Sequence, residues 1–550
     1  MLLAGAAIDT SLGECPATLY DGTVTIGGTA FDTPWDMATG TDGSVGLVGT
    51  FYETVDFDPG EGVDDHTAYG TGGDVFITRF NPDRSYGWTR TFGSSVGDYG
   101  HGVDFDQDGR VIITGGFWET VDFDPGEGVD EHTSAGITDA FVTVFSADGS
   151  YEWTRVIGGT SSDGGHTMRV DGAGNIVVAG GFSQSADFDP DEQSEDIQES
   201  NGIHDVFVLK LTHDGDYVWA VTFGGAEVDT VTALSINADD DIVVTGSFRN
   251  TVDFDPSDGG VDEHTSNGAS DVYVSKFNAD GDHQWTATIG GTELDFGSAI
   301  AFDADGNVVV GGSFKETDDG PIDFDPTEGV DERSSNGGYD LFVTKLTGDG
   351  SYLWTWTGGS TDADQTAALT VDADGSILAA GNFGSDGNPA GYSVDFDPTG
   401  GDVHTTEGEQ DVFFSHLLAD GTYRWTQTFG GPQSDKPTAI ALGLVDELFI
   451  AGWFDSTTDF DPSDGTDFHD TNGVEDIFLT TLHCTDDLPC DGDANGDGLV
   501  DPLDSGFVLS RFGCPVGTGD PSCDAADMNG DGLVDPLDAG YVLARFGTCD

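Results

Sequence analysis

Apolar and polar positions along the chain alternate in short runs separated by turn signals. The stretch Asp271-Val-Tyr-Val-Ser-Lys-Phe277 alternates and is rich in β-branched and aromatic side chains, so it predicts a strand. Asp280-Gly281 is a hairpin signal, and residues 283–289 supply a second strand. Residues 297–302 predict a third, Asp305-Gly306 another tight turn, and residues 307–314 a fourth. Helical periodicity is absent, so the unit is four short antiparallel strands. A lone four-stranded sheet with two apolar faces must stack on neighbours, and a closed ring covers both faces of every sheet.

The unit recurs. Asp-Phe-Asp-Pro begins at Asp56, Asp122, Asp187, Asp253, Asp323, Asp395 and Asp459, with spacings of 66, 65, 66, 70, 72 and 64 residues. Trp88, Trp153, Trp219, Trp285, Trp354 and Trp425 keep the same beat. Seven such units predict an all-β, seven-bladed β-propeller, and this repetition overrides the domain count that 550 residues would suggest.

Composition narrows the function classes. Lys plus Arg is 16 and Asp plus Glu is 103, a formal net charge of −87. That excludes nucleic-acid binding through phosphate neutralisation and argues against adhesion to anionic lipid. No stretch approaches the roughly 20 apolar residues of a membrane helix. Aromatic residues at 11% exclude a simple disordered chain. The acidity has two readings: a solvated, salt-tolerant surface, and divalent-cation binding by clustered carboxylates. Six Cys are present, five of them in the last 70 residues, which points to an oxidising, extracellular compartment. Residues 1–7 lack a basic segment, but Ala4-Gly5-Ala6 looks like the tail of a signal peptide, so a truncated start is expected.

The repeat Asp-[Val/Ala]-Phe-Val-x-Lys-[Leu/Phe], an Asp-Gly turn and then Trp-Thr-x-Thr-x-Gly-Gly resembles the SBBP (seven-bladed β-propeller) repeat family over about residues 18–483. The resemblance implies the fold and a secreted protein, and is nearly silent about activity. The last unit lacks its outer strand. Residues 18–28 match residues 423–431, with Gly22 in place of the Trp, so the N-terminal strand is expected to complete the seventh blade. Cys15 and Cys484 then flank the paired strands, and a bridge between them would staple the ring, worth at most roughly 4–5 kcal/mol.

One face of the ring carries the short Asp-Gly turns, and the other carries the Gly-Gly and Asp-Phe-Asp-Pro connections. Long loops on a rigid scaffold are the default binding surface. Asp32, Asp98, Asp163, Asp229, Asp295, Asp364 and Asp435 open the inner strands there. They are either a cation-attracting ring or backbone caps repeated once per blade. The carboxylates of Asp-Phe-Asp-Pro carry the same pair of readings, with Ca²⁺ as the ligand. His66, His132, His264 and His404 recur one per blade, which favours turn or edge contacts over a metal set. The per-blade Trp favours core packing. Ligand-site candidates are where the symmetry breaks: residues 189–197 in blade three, 315–321 in blade five and 384–392 in blade six.

The strongest chemistry lies at the C-terminus. Asp493, Asn495, Asp497, Asp501 and Asp504 recur 34 residues later as Asp527, Asn529, Asp531, Asp535 and Asp538. Both sets place oxygens at positions 1, 3, 5, 9 and 12 of an EF-hand loop, with Gly498 or Gly532 at the turn and the Leu499 or Leu533 carbonyl at position 7. Ca²⁺ takes six to eight hard oxygens at about 2.3–2.6 Å, and such a loop delivers them from one short segment. Each loop leads into an apolar stretch readable as a short helix. This tandem resembles the type I dockerin over about residues 491–547. The resemblance implies two Ca²⁺ ions and a cohesin partner. Dockerins often carry Ser or Thr at loop positions 10 and 11, whereas Pro502-Leu503 and Pro536-Leu537 stand here. These four, with Arg511 and Arg545, are the candidate partner contacts. By proximity, Cys514 and Cys523 would link the two loops, and Cys490 and Cys549 would join the module's ends.

The expected organisation is an N-terminal segment (1–17), a propeller (18–484), a linker (485–490) and a dockerin-like domain (491–550). The function expected is a secreted, monomeric, non-catalytic binding or scaffold protein, docked to a cohesin-like or cell-surface partner through calcium. The alternative is a polysaccharide-degrading enzyme docked by the same module. Its two carboxylates, about 5–9 Å apart, cannot be picked out of 103 acidic residues.

Overall fold

The structure is a computed structural model that describes residues 18–484, apart from 192–193, 258, 317–319, 328, 386, 388–390, 445–446 and 464, together with 499–500 and 547–548. Tyr20–His483 forms one compact unit. It is a seven-bladed β-propeller of four-stranded antiparallel blades. Blade one runs from the axis outwards as Thr33–Thr39, Val45–Phe51, Asp74–Phe80 and Tyr86–Phe92. The next six inner strands are Tyr99–Phe105, Gly164–Val170, Thr230–Ile236, Phe296–Phe302, Gln365–Val371 and Asp435–Leu442. Successive inner strands touch in chain order, and the last returns to the first.

The two middle strands of a blade are covered on both faces by neighbouring blades. Every residue of Val45–Phe51 and Asp74–Phe80 is therefore buried, the polar Asp74, Thr78 and Arg79 included. The outer strand Tyr86–Phe92 meets solvent at the rim and mixes buried with exposed positions. The cores lie between blades. Ile26, Phe449 and Ile477 of the last blade pack with Met37, Leu47 and Phe76 of the first. Val48 and Phe92 of blade one pack with Val103 and Phe141 of blade two.

Closure is as expected from the sequence. The seventh blade is ordered Thr18–Ile26, Asp476–Cys484, Glu447–Phe454 and Asp435–Leu442 from rim to axis. Cys15 lies outside the described residues, as do Cys490, Cys514, Cys523 and Cys549. Of the region from Cys484 to Asp550, the structure describes the antiparallel pair of Leu499–Val500 with Gly547–Thr548. Among the described residues, no helix is long and apolar enough to cross a membrane.

Each Asp-Phe-Asp-Pro segment forms a small hairpin that clamps two blades. In blade two, Thr120–Asp122 pairs with Glu131–Thr133. Phe123 wedges between Phe92 of blade one, at 5.0 Å, and Phe117 and Phe141 of its own blade, at 5.2 and 5.3 Å. In blade three the hairpin also adds to the preceding blade's outer strand, with Gly158 opposite Asp187 and Gly159 opposite Ala186.

Candidate functional site

The seven aspartates at the heads of the inner strands are all buried. Asp163 shows the arrangement. One carboxylate oxygen accepts the Gly159 N–H at 2.7 Å, and the other accepts the Ser183 N–H at 3.1 Å. Asp295 takes the N–H groups of Gly291 and Lys315 in the same way. These side chains cap backbone N–H groups and tie the end of one blade to the first two strands of the next. Burial pushes Asp163 and Asp295 up to about 7, despite these N–H groups.

The Asp-Phe-Asp-Pro carboxylates also serve their own loops. Asp122 accepts the N–H groups of Asp124 and Asp130, and Asp124 accepts that of Gly126. The Tyr151 hydroxyl donates to Asp130. The histidines make edge contacts. His66 Nδ1 lies 2.8 Å from Thr91 Oγ1, and His404 Nδ1 lies 3.1 Å from Thr428 Oγ1. His264 Nδ1 lies 3.4 Å from Thr288 Oγ1, and His132 Nε2 lies 3.3 Å from Asp130.

Of the symmetry-breaking loops, Asp189, Pro190, Asp191 and Ser194 line a rim cleft of about 790 Å³ with Arg155 and Tyr217. A matching cleft of about 550 Å³ holds Asp124, Pro125, Arg90 and Tyr151 one blade earlier. The cleft is therefore a feature of the repeat and not of blade three. In blade five, Lys315 Nζ sits 5.3 Å over the Tyr339 ring. In blade six, Gly384 donates its N–H to Asp364 at 3.0 Å. Residues 192–193, 317–319, 386 and 388–390 of the three loops lie outside the described residues.

The asymmetry that the structure does reveal is on the axis. Every inner strand carries a one-residue bulge three positions after its head aspartate. A bulge leaves its residue out of the ladder and re-aims the side chain. The partner strand is a glycine at each bulge. At Gly115, for example, a Cβ would stand 1.9 Å from the Tyr99 carbonyl oxygen. The seven bulge residues are Trp35, His101, His166, Thr232, Ser298, Ala367 and Thr438, and all line one central cavity of about 340 Å³. Three large rings from blades one to three face four small side chains from blades four to seven.

The ring side is tightly organised. His101 stacks on Tyr99 at 4.4 Å and 24°, and Trp35 meets His101 edge-on at 5.0 Å. His166 lies 5.8 Å from His101, and its Nδ1 is 3.2 Å from the Val231 carbonyl. Trp35 keeps 45% of its surface exposed. Burial pushes His101 down to about 3 and His166 to about 4, so both imidazoles are neutral near pH 7. Asp36 is the only carboxylate lining this cavity among the described residues. It accepts the Val103 N–H at 3.2 Å and pairs with Arg169 at 3.3 Å. Asp104, also beside Arg169, accepts the Val170 N–H at 2.8 Å. The charges here are spent on each other and on neighbouring inner strands. Aligned three positions after the head aspartates, the seven residues differ visibly in the sequence, but the bulge that turns them to the axis does not show there.

The candidate calcium ligands Asp493, Asn495, Asp497, Asp501, Asp504, Asp527, Asn529, Asp531, Leu533, Asp535 and Asp538 lie outside the described residues, and Leu499 opens the short strand pair. Their donor set of carboxylates, amide oxygens and carbonyls fits a hard cation. Pro502, Leu503, Arg511, Pro536, Leu537 and Arg545 also lie outside.

Comparison with known proteins gives two kinds of likeness. The chain is 22% identical over 463 residues to an uncharacterized WD repeat-containing protein of Acanthamoeba polyphaga mimivirus, covering 72% of this chain and 33% of that one. It is 26% identical over 207 residues to a regulatory protein, FlaEY, of Caulobacter vibrioides, covering 38% and 21%. The chain thus spans a third or less of the length of these relatives. Among solved structures, Sqt1 from Chaetomium thermophilum aligns with a TM-score of 0.36 at 9% identity, covering 83% of this chain and 86% of that one. The PQQ-bound aldose sugar dehydrogenase of Streptomyces coelicolor aligns with a TM-score of 0.32 at 12% identity, covering 85% and 98%. The model of the dockerin type I domain matches residues 491–546. Domains of this type bind calcium, typically engage cohesin domains, and point to an extracellular or cell-surface protein. The chain joins a seven-bladed β-propeller to a C-terminal dockerin type I domain.

Proposed function

We propose that the chain is a secreted, non-catalytic binding or scaffold protein whose propeller is carried to a cohesin-like or cell-surface partner by a calcium-dependent dockerin. The match of residues 491–546 to the dockerin type I domain carries this reading. Two ions are held, one by Asp493, Asn495, Asp497, the Leu499 carbonyl, Asp501 and Asp504, the other by the equivalent set from Asp527 to Asp538. Pro502, Leu503, Arg511 and their counterparts Pro536, Leu537 and Arg545 form the partner surface. The propeller spans 18–484, consists of SBBP-type repeats and is stapled by Cys15–Cys484. A linker of 485–490 leads to a domain closed by Cys490–Cys549 and Cys514–Cys523.

The test is capture of the full chain on immobilised cohesins. Capture is expected in calcium, release in chelator, and loss of capture in the Asp497→Ala, Asp531→Ala double variant with the propeller still folded. Capture that is indifferent to calcium would refute the docking. Release of reducing sugar from polysaccharide would refute the non-catalytic reading alone.

A further inference from the structure

We propose that His101 and His166 form a binding site for a divalent transition-metal ion in the central cavity, with water completing the coordination. Both side chains are bulge residues of consecutive inner strands and line the same cavity. Their ring centres are 5.8 Å apart and the planes are tilted by 56°. Two imidazoles that share a tetrahedral ion at about 2.0–2.1 Å bring their ring centres to roughly 5 Å. The observed separation is a little wider than that spacing.

The surroundings select a lone pair on His166. Its Nδ1 faces the Val231 carbonyl at 3.2 Å, and a carbonyl only accepts, so Nδ1 carries the hydrogen. Nε2 is left as the donor atom for a metal. This backbone-anchored tautomer is the usual outer-shell support of a metal-binding histidine. The His101 ring is set by stacking on Tyr99 and by the edge of Trp35.

The rest of the cavity supplies space and few competing ligands. Thr232, Ser298, Ala367 and Thr438 at the other bulges are small, leaving room for an ion and its waters in about 340 Å³. Asp36 and Arg169 neutralise each other at 3.3 Å. The chain's charge of −87 draws cations towards any opening. Imidazole nitrogen suits copper, nickel and zinc, whereas calcium takes hard oxygen. Among the described residues, no group of three or more His, Cys, Asp or Glu converges on one metal position. The protein therefore provides two ligands, and the remaining positions exchange with solvent.

The experiment uses the full chain, saturated with calcium and titrated with Cu²⁺ and Zn²⁺ by calorimetry. Electron spin-echo measurements on the Cu²⁺ form count the imidazole nitrogens. One site with two bound imidazoles is expected, with Cu²⁺ held more tightly than Zn²⁺. His101→Thr and His166→Ser place side chains that the fold already carries at the same bulge in other blades, so the ring should survive. Each should weaken Cu²⁺ binding at least tenfold, and a thermal melt checks that the propeller remains folded. Unchanged Cu²⁺ affinity in the double variant, or a wild-type signal without two imidazoles, would overturn the site.

Discussion

A tryptophan in the outer strand of each of the first six blades explains much of the repeat. Trp219 donates its indole N–H to the Ala279 carbonyl at 3.3 Å, in the turn before the next blade's outer strand. Gly281 in that turn has φ of +84°, and a Cβ there would lie 2.9 Å from the Trp219 ring. Trp88, Trp285 and Trp354 make the same bond to Ala147, Gly348 and Ala419. In blade two the Trp153 indole Nε1 is instead buried without a hydrogen-bond partner. The closing strand carries Gly22 in place of Trp, and the facing turn of blade one carries Arg84 at φ +67° in place of Gly. Arg84 fills part of the vacated space, its guanidinium 4.4 Å from the Phe449 ring and bonded to the Gly43 carbonyl at 2.7 Å. The Gly22 exchange was legible in the sequence. Its consequence at Arg84 was not, because the two residues are 62 apart and meet only when the ring closes. Gly281→Ala combines a left-handed backbone with a clash on the indole. It should destabilise the propeller by about 1–3 kcal/mol, read from its denaturation midpoint. A midpoint unchanged from wild type would mean that the Trp219 clamp is loose.

At the level of the strand, each blade junction holds a pair of buried carboxyls. The head aspartate of one inner strand faces the first residue of the preceding blade's third strand, as Asp364 faces Asp340 and Asp98 faces Asp74. Oδ1 of Asp74, Asp205, Asp271, Asp340, Asp411 and Asp476 is buried without a hydrogen-bond partner. Burial, with the neighbouring Asp364 adding to it, pushes Asp340 up to about 8, and Asp74 rises to about 7 for the same reasons. In the unfolded chain an aspartate titrates near 3.9. The folded state therefore binds more protons between these limits. The contribution to stability is full below about pH 4 and is lost as pH rises through about 6 to 8. The propeller should melt at a higher temperature at pH 5 than at pH 8.5. Repulsion across a chain of −87 has the same sign, so a substitution must separate the two. Asp340→Asn keeps an acceptor and removes the titrating charge. It should raise the alkaline melting temperature and leave the acid one nearly unchanged; a drop at both would show that the carboxylate is needed ionised. Strand order and turns were legible because alternation and Asp-Gly chemistry are local. The bulges were not, since one extra residue alters neither composition nor period, and they are what gather Trp35, His101 and His166 on the axis.

For the whole molecule, the ring closes at one seam, where strands from the two ends of the propeller pair in a single blade. Six blades are continuous in sequence, while the seventh joins Thr18–Ile26 to Asp476–Cys484 across the length of the chain. The seam holds by more than the ladder. Thr23 meets Thr480 at 2.8 Å, Thr25 meets His469 at 3.2 Å, and the Tyr20 hydroxyl donates to Asp467. Ile26 lies 3% exposed in the core shared by the last and first blades. Removing residues 1–26 deletes these contacts and leaves Asp476–Cys484 as an open edge, a template for pairing with other chains. The truncated protein should melt at least several degrees below the full chain and form oligomers visible by light scattering. A synthetic peptide of residues 18–28 should then bind the open edge as an added strand and raise the melting temperature in a concentration-dependent way. A truncated protein that remains monomeric with an unchanged melting temperature would place the ring's stability in the other six blades. Failure of the peptide to bind a destabilised truncation would mean that the edge collapses once its strand is lost.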